Sequence, residues 1–146
     1  MIQITPMTLL HLDAVYEIEY STFVIPWARA DFEHELRGNK LAVYLVAKDG
    51  DRVVGYCGMW HVVNEGHITN IAVTEGHRRQ GIGDMLLTAL EAQARVRRMI
   101  GLTLEVRVGN EYAMRLYNKH GFKIEGLRKN YYADTKEDAA IMWKYF

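Results

Sequence analysis

Residues 70–83, with the sequence NIAVTEGHRRQGIG, decide the class of fold. Their first part completes an apolar run from His67 to Val73 that is typical of a buried strand. From Gly81 to about Arg98, apolar residues instead recur at helical spacing. The apolar face of this predicted helix consists of Ile82, Leu86, Ala89 and Leu90. The segment therefore predicts a strand, a polar loop and a long helix, the unit from which α/β folds are built.

The loop Arg78-Arg79-Gln80-Gly81-Ile82-Gly83 has the composition of an anion-binding site. The first N–H groups of a helix lack partners within the helix and carry a partial positive charge, which attracts phosphate. Gly81 and Gly83 let a ligand approach the backbone closely, and the arginines supply forked donors for a pyrophosphate. Loop glycines and surface arginines also occur without any ligand, so these six residues leave both interpretations open.

Two common nucleotide-binding motifs do not fit this loop. The dinucleotide-binding fingerprint needs G-x-G-x-x-G directly after a first parallel strand, with an acidic residue about 20 positions further on. The P-loop needs a lysine followed by serine or threonine after its last glycine. Here Asp84 follows Gly83, which excludes the second motif.

The N-terminal part predicts a short strand and two helices. Ile2 to Ile4 alternates as a strand, and Thr8 is placed to cap a helix that extends to Phe23. The apolar positions of this helix follow the helical period: Leu9, Leu12, Tyr16, Tyr20 and Phe23. Pro26 ends or bends the helix, and a second helix is expected from about Arg29 to Arg37.

A predominantly antiparallel sheet is expected before the loop. Leu41 to Lys48 and Arg52 to Val63 are strand-like, and Asp49-Gly50 between them predicts a hairpin whose two central residues have positive φ. Asn64-Glu65-Gly66 predicts another turn before the strand that leads to the loop.

The C-terminal part continues the α/β pattern. We expect a strand over residues 102–106, a helix over 111–120 ended by Gly121 at its C′ position, and strands near 122–129 and 139–145. The fold class is therefore α/β, mostly antiparallel early, with a strand–helix–strand crossover in the middle.

Length and composition restrict the class of protein. The 146 residues fit one domain, which we expect to span 1–146. Eighteen basic residues balance 18 acidic ones, so no overall field favours nucleic acid or a membrane surface. No apolar run reaches the roughly 18 residues that span a bilayer. The single cysteine, Cys57, excludes an internal disulfide. We expect a cytoplasmic protein without direct nucleic-acid or membrane binding.

The loop resembles the coenzyme A loop of the GNAT superfamily of acetyltransferases, R-x-x-G-x-G/A, which Arg78, Gly81 and Gly83 match. The preceding Ile71, Ala72 and Val73 resemble the family's splayed strand, whose backbone pairs with the pantetheine arm. The resemblance implies a GNAT fold: a mixed, mostly antiparallel sheet of about six to seven strands flanked by about four helices. It also implies acetyl-CoA as cosubstrate and no metal.

A second block is more discriminating. Residues 104–122 contain LEVRVGN, then Ala113, Leu116-Tyr117 and Gly121-Phe122. They are similar to the L-E-V-R-x-x-N…A…L-Y…G-F block of the RimI-type subfamily and its archaeal and eukaryotic relatives, which acetylate protein N-termini. Residues 23–27 also match that subfamily's F-x-x-P-W, so the resemblance covers nearly the whole chain.

The resemblance implies roles for individual residues. Glu105 is the implied general base, acting through water, and Tyr117 is the implied acid that protonates the coenzyme A sulfur. The implied cofactor contacts are Ile71, Ala72, Val73, Arg78, Arg79, Gln80, Gly81, Ile82, Gly83, Asp84 and Asn110. Each central residue also has a purely structural interpretation. Glu105 could pair with Arg107, Tyr117 could be a core aromatic, and Asn110 is placed as a helix N-cap.

Trp27, Tyr131 and Tyr132 are the expected peptide contacts. The two tyrosines belong to a stretch that resembles the subfamily's N-Y-Y…E-D-A hairpin, although hairpin tyrosines are also common packing residues.

The chemistry of amines favours a protein N-terminus over lysine as the acceptor. A terminal amine has a pKa of about 7.7–8, against about 10.4 for lysine, so about 10–15% of terminal amines are neutral at pH 7. One modest base therefore suffices for a terminus, which favours that substrate.

The implied substrate is the N-terminal alanine of a small-subunit ribosomal protein. Alternatives are a broader N-terminal acetyltransferase, an enzyme for a small amine, and a coenzyme A-binding module without turnover.

The remaining notable residues do not establish a further site. The six histidines show no metal-ligand spacing. The Arg95, Arg97 and Arg98 cluster either complements a helix dipole or docks an acidic partner or ribosomal RNA. Cys57 is expected in the core, with an acyl-cysteine role as the alternative. Gly109 replaces the subfamily's usual serine or alanine.

Overall fold

The computed structural model describes residues 1–146 and contains seven strands and four α-helices. The strands are β1 (Ile2–Pro6), β2 (Ala42–Asp49), β3 (Arg52–Val62), β4 (Glu65–Val73), β5 (Gly101–Arg107), β6 (Lys123–Arg128) and β7 (Ala139–Tyr145). The helices are α1 (Leu12–Thr22), α2 (Arg29–Gly38), α3 (Ile82–Val96) and α4 (Glu111–Lys119). One sheet, ordered β1-β2-β3-β4-β5-β7-β6, is antiparallel except at β4–β5. The predicted mixed α/β fold is thereby confirmed.

Two turns lie one or two residues away from their predicted positions. Asp49 pairs with Arg52, so the β2–β3 turn consists of Gly50 and Asp51, and only Gly50 has positive φ (+63°). A glycine at the first central position fits a type II′ turn rather than the predicted type I′ arrangement. The next turn is formed by residues 63 and 64, because Val62 already pairs with Glu65.

The buried face of α1 differs from the predicted one. A 3-10 turn, Leu9–His11, precedes α1 and shifts the phase of the helix. The buried residues of α1 are Leu12, Val15, Ile18 and Glu19, whereas Tyr20 is 65% exposed. Thr8 closes the preceding turn through its carbonyl, which accepts from the His11 N–H at 3.0 Å.

Two apolar clusters cover the two faces of the sheet. The larger contains residues of α3 and α4, such as Leu86 and Tyr117, packed on β5. The smaller joins α1 and α2 to β3, with Val15, Phe32 and Tyr56 at its centre. Cys57 is fully buried in the larger cluster, as expected of a core cysteine. No helix has the length and hydropathy required to cross a membrane.

Replacing Gly101 with alanine should weaken the β5–β7 pairing. A Cβ atom at this position would lie 2.5 Å from the backbone oxygen of Lys144, so one strand must move. We expect Gly101→Ala to lower the free energy of unfolding by about 1–3 kcal/mol, measured by urea denaturation. Gly38→Ala is the matched control, because a Cβ there meets nothing within 4 Å. Equal effects of the two substitutions would contradict this account of the pairing.

Candidate active site

A gap opens between β4 and β5. Only Glu65–His67 of β4 pairs with β5, at Gly101–Thr103. Beyond these residues β4 continues to Val73 and β5 continues to Arg107, but no further residues of the two strands pair with each other. The backbone edge of β4 from Ile68 to Val73 therefore has no partner strand on its β5 side. Such an unpaired edge can bind an extended ligand in the manner of an added strand.

A β-bulge lies at the mouth of this gap. Gly58 pairs with Asn70 and Met59 pairs with Ile68, so Thr69 is an extra residue in β4 without a partner in β3. The Thr69 hydroxyl donates to Oδ1 of Asn70 at 2.6 Å. A bulge interrupts regular pairing and bends its strand, and here it lies where β4 separates from β5.

The glycine-rich loop reaches α3 through a left-handed backbone. Arg79 and Gly81 have φ of +63° and +79°, and Arg78 Nε donates to the Val73 carbonyl at 3.0 Å. The first helical hydrogen bond runs from the Met85 N–H to the Gly81 carbonyl at 3.0 Å. The N–H groups of residues 82–84 precede this bond and have no backbone partner. They form the positive end of a helix, which suits a phosphate.

Gly83 also permits the close packing of α3 on α4. It is buried, and a Cβ atom there would lie 3.4 Å from the Tyr112 hydroxyl and 3.5 Å from a Leu116 methyl. The second glycine of the loop therefore has a packing function in addition to any contact with a ligand.

The Asp84 carboxylate is directed at the C-terminal end of α4. It accepts from His120 Nε2 at 2.8 Å and forms an ion pair with Lys119 Nζ at 3.1 Å. The hydrogen bond from His120 lowers the pKa of Asp84, although partial burial opposes this effect. Its negative charge is thus balanced beside the loop, and its side chain connects α3 to α4.

Asp84→Asn should lower the melting temperature at pH 7. The depressed pKa means that the ionised carboxylate stabilises the fold above about pH 4. This contribution is lost as pH falls through the folded-state pKa, since both proteins are then neutral at position 84. A partly exposed group of this kind contributes about 1 kcal/mol or less. A deficit in melting temperature that persists undiminished at pH 3 would contradict the assignment, with Asp51→Asn as the exposed control.

Glu105 projects from β5 on the face opposite Leu104 and Val106, whose side chains are buried. Its carboxylate accepts from the Tyr131 hydroxyl at 3.1 Å and lies 3.3 Å from Arg128 Nε. The side chain remains 36% exposed. Glu105 is therefore an accessible carboxylate held by two groups from β6 and the segment after it.

The alternative pairing of Glu105 with Arg107 is wrong. Arg107 instead contacts Asp134 at 3.0 Å and Thr135 at 3.0 Å, and its guanidinium lies 3.9 Å from the Tyr132 ring centroid. The β6–β7 connection folds back over the end of β5, and four of its residues contact Arg107, which thereby holds the connection in place.

Tyr117 lies on α4 within the larger core cluster, with its ring centroid 5.6 Å from that of Phe122. Burial raises the pKa of its phenol above the ordinary value, and the neighbouring Cys57 adds to this rise. The hydroxyl therefore keeps its proton throughout the physiological range. Tyr117 belongs to the cluster on the face of β5 opposite Glu105. Burial also raises the pKa of the Cys57 thiol. This shift disfavours the nucleophilic thiolate that an acyl-cysteine role would need.

Asn110 caps α4, as the sequence predicted. Its Oδ1 accepts from the Ala113 N–H at 3.1 Å. The preceding Gly109 makes space for Glu137, because a Cβ atom there would lie 2.8 Å from Glu137 Oε2. Glu137 in turn lies 3.7 Å from Arg107. Glycine at position 109, where the subfamily has serine or alanine, thus leaves room for the Glu137 carboxylate, which pairs with Arg107.

The three expected peptide contacts lie in two places. Tyr131 and Tyr132 meet edge to face with ring centroids 5.1 Å apart, and Tyr131 reaches Glu105 directly. Trp27 lies between α1 and α2, its ring centroid 5.1 Å from that of Phe32. The structure brings the tyrosines to the candidate base but records no contact between them and Trp27.

Two residues near the site were not singled out from the sequence. Arg128 pairs with Glu105, and Glu19 is a carboxylate that is only 2% exposed. Glu19 lies seven residues after Leu12 and four after Val15, which places it on the buried face of α1. That spacing was a signal for its burial. No comparable local signal marks Arg128, since its partner is more than twenty residues away.

Residues 12–122 match the model of the acetyltransferase (GNAT) family. The chain belongs to this GNAT family. It is therefore an acetyltransferase, and its splayed β4–β5 pair and glycine-rich loop are parts of a GNAT fold.

The chain is similar to several proteins of this family. It is 44% identical over 137 residues to a candidate ribosomal protein bS18-alanine N-acetyltransferase of Bacillus subtilis (strain 168), covering 94% of this chain and 91% of the relative. It is 36% identical over 135 residues to the ribosomal protein bS18-alanine N-acetyltransferase of Salmonella typhimurium, covering 90% and 88%. The crystal structure of the Escherichia coli ribosomal-protein-S18-alanine N-acetyltransferase superposes with a TM-score of 0.91 at 31% identity, covering 99% of this chain and 94% of that one.

Proposed function

We propose that this GNAT enzyme acetylates the N-terminal α-amine of a small-subunit ribosomal protein, with alanine as first residue and acetyl-CoA as acetyl donor, in the cytoplasm. The observation that carries the proposal is the similarity to bS18-alanine N-acetyltransferases over about nine-tenths of both chains, at 44% and 36% identity. The GNAT fold by itself would support many acyl acceptors.

The residues beside the gap fit acetyl-CoA. The free N–H groups of Ile82, Gly83 and Asp84, with the exposed Arg78 and Arg79, suit its pyrophosphate. Gln80 and Gly81 complete this loop, and Asn110 is the proposed contact from the start of α4. The open β4 edge at Ile71, Ala72 and Val73 suits the two amides of the pantetheine arm. Bound acetyl-CoA would supply a thioester carbonyl as the electrophile.

Glu105 and Tyr117 would handle the protons of a direct transfer. The free amine attacks the thioester carbonyl, so a C–N bond forms as the C–S bond breaks. The proton leaving the nitrogen passes to Glu105 through a water molecule. The Tyr117 hydroxyl gives its proton to the departing sulfur and is reprotonated from solvent. Burial raises the pKa of Tyr117, so the phenol is protonated before each turnover, although the same shift makes it a weaker acid.

A second candidate is an N-terminal acetyltransferase of broader specificity. The chain is 38% identical over 124 residues to an N-alpha-acetyltransferase of Sulfurisphaera tokodaii, covering 76% of this chain and 73% of the relative. The structure of Ard1 from Thermoplasma volcanium superposes with a TM-score of 0.89 at 28% identity. The Sulfurisphaera relative favours N-terminal chemistry without favouring alanine or a ribosomal partner.

First-residue selectivity separates the two candidates. Short peptides with the N-terminal sequence of bS18 should be prepared with alanine, serine, methionine or glycine in first position, and kcat/KM measured for each with acetyl-CoA. The proposal predicts the highest kcat/KM for alanine. Similar values for all four peptides would favour the broader enzyme and overturn the alanine assignment.

A further inference from the structure

Glu19 is a buried carboxylate that the proposed chemistry does not use. It is 2% exposed and is the only buried acidic side chain in the chain. It accepts hydrogen bonds from the Tyr56 hydroxyl, from the Trp27 N–H at 2.8 Å and from Asn70 Nδ2 at 3.4 Å. No lysine, arginine or histidine forms an ion pair with it. A charge in such a place depends entirely on the donors directed at it.

These donors come from three different parts of the fold. Tyr56 belongs to β3, Asn70 belongs to β4 at the bulge, and Trp27 belongs to the segment between α1 and α2. The network continues from Asn70 to the Thr69 hydroxyl at 2.6 Å. One carboxylate therefore connects the α1–α2 segment to the point where β4 separates from β5.

The α1–α2 segment has few other attachments. Among residues 24–27, the Trp27 N–H makes the only hydrogen bond, and Val24 and Ile25 are 77% and 65% exposed. The apolar anchors of the segment are Phe23 and Trp27, which pack against the smaller cluster, with the Trp27 ring beside Phe32. Without the acceptor on Glu19, no polar contact would fix the position of Trp27 relative to the sheet.

We propose that Glu19 is a positioning residue that holds the Trp27 segment at a fixed distance from the β4 bulge. This inference rests on the proposed function, in which Trp27 contacts the peptide and β4 binds the acetyl donor. The peptide and the donor must approach to bonding distance, and small displacements of a positioning group reduce rates and affinity strongly. Glu19 therefore controls the binding of the peptide while remaining remote from the transferred proton.

Glu19→Met tests the inference, because methionine occupies similar volume and removes both acceptor oxygens. We expect KM for the peptide to rise about tenfold, the effect of losing one charge-assisted hydrogen bond, while KM for acetyl-CoA changes less than about twofold. Glu19→Gln retains one acceptor for the Trp27 N–H and should restore most of the peptide affinity. Val15→Ala, on the same buried face of α1, controls for lost stability and should leave both KM values near those of the wild type.

Amide hydrogen exchange of Trp27 supplies a readout that needs no activity. The Trp27 N–H should be protected in the wild type and in Val15→Ala, but should exchange rapidly in Glu19→Met. Persistent protection in Glu19→Met, or a peptide KM equal to that of Val15→Ala, would overturn the inference. If Glu19→Met does not fold, Glu19→Gln carries the test: a neutral amide oxygen is a weaker acceptor than the carboxylate, so the Trp27 N–H should exchange faster than in Val15→Ala, and equal exchange in the two variants would overturn the inference equally.

The two proposals fail in different ways. A wild-type protein that acetylates no N-terminal peptide would refute the proposed function, whereas the exchange comparison would still decide whether Glu19 anchors Trp27. An active wild type whose peptide KM is insensitive to Glu19→Met would refute the positioning role alone.

Discussion

Glu105→Gln should lower kcat for N-terminal acetylation by about 10²–10⁴-fold, the usual effect of removing one acid–base group. Glutamine can still accept the hydrogen bond from Tyr131, so the hairpin stays in place. It cannot take a proton from the attacking amine, and it gives up the ion pair with Arg128. The affinity for acetyl-CoA, measured by calorimetry, should be unchanged because Glu105 lies on the face of β5 opposite the cluster that contains α3.

Glu125→Gln is the matched control for this substitution. Glu125 is an exposed β6 carboxylate that accepts from the Tyr145 hydroxyl at 2.9 Å, as Glu105 accepts from Tyr131. Its replacement should leave kcat within about twofold of the wild type. If Glu105→Gln also retained wild-type turnover, Glu105 would not be the base.

Tyr117→Phe should lower kcat by about 10²-fold or more, because the departing thiolate loses its proton donor. Burial raises the pKa of Tyr117, so the phenol stays protonated as pH rises through its ordinary value near 10. The wild-type rate should therefore rise with pH until the peptide amine is neutral, near pH 8, and then stay level. The variant should follow the same curve at a lower plateau.

Tyr16→Phe provides the comparison for the loss of a tyrosine hydroxyl, since Tyr16 is half-buried on α1 and makes no hydrogen bond through its side chain. The full profile from pH 6 to pH 10 should be recorded for both variants. A wild-type rate that declines above pH 8 while Tyr117→Phe loses this decline would mean that the phenol ionises in the working range. That result would contradict the account in which burial keeps the Tyr117 phenol protonated up to about pH 10.

The strands and helices of this fold were predictable from the sequence because each is short and strongly patterned. The α3 helix and the cap at Asn110 illustrate this, since periodicity and capping act over a few residues. The buried face of α1 was predicted wrongly, because a 3-10 turn occupies the start of the predicted helix and the buried face contains Glu19 rather than Tyr20. The β2–β3 turn was misplaced by one residue because strand register is set by pairing across the whole hairpin.

The candidate site shows the same division. Glu105 and Tyr117 were proposed because they fall in a motif, but their surroundings depend on long-range contacts. Arg128 reaches Glu105 only because β6 and the segment after it fold back beside β5. The buried network of Glu19 combines residues from four segments of the chain. No local sequence pattern specifies contacts between residues so far apart in the chain, so the partners of Glu105 and Glu19 could be identified only in the structure.

The position of the acetyl group on a single peptide tests the central claim most directly. The substrate should begin with a free alanine and contain one internal lysine, and a matched peptide should carry a blocked N-terminus. After reaction with acetyl-CoA, tandem mass spectrometry locates the added mass of about 42 Da that results when an acetyl group replaces an amine hydrogen. We predict acetylation of the terminal amine alone and no reaction of the blocked peptide. Acetylation of the lysine in both peptides, with a free terminus left unmodified, would contradict the account.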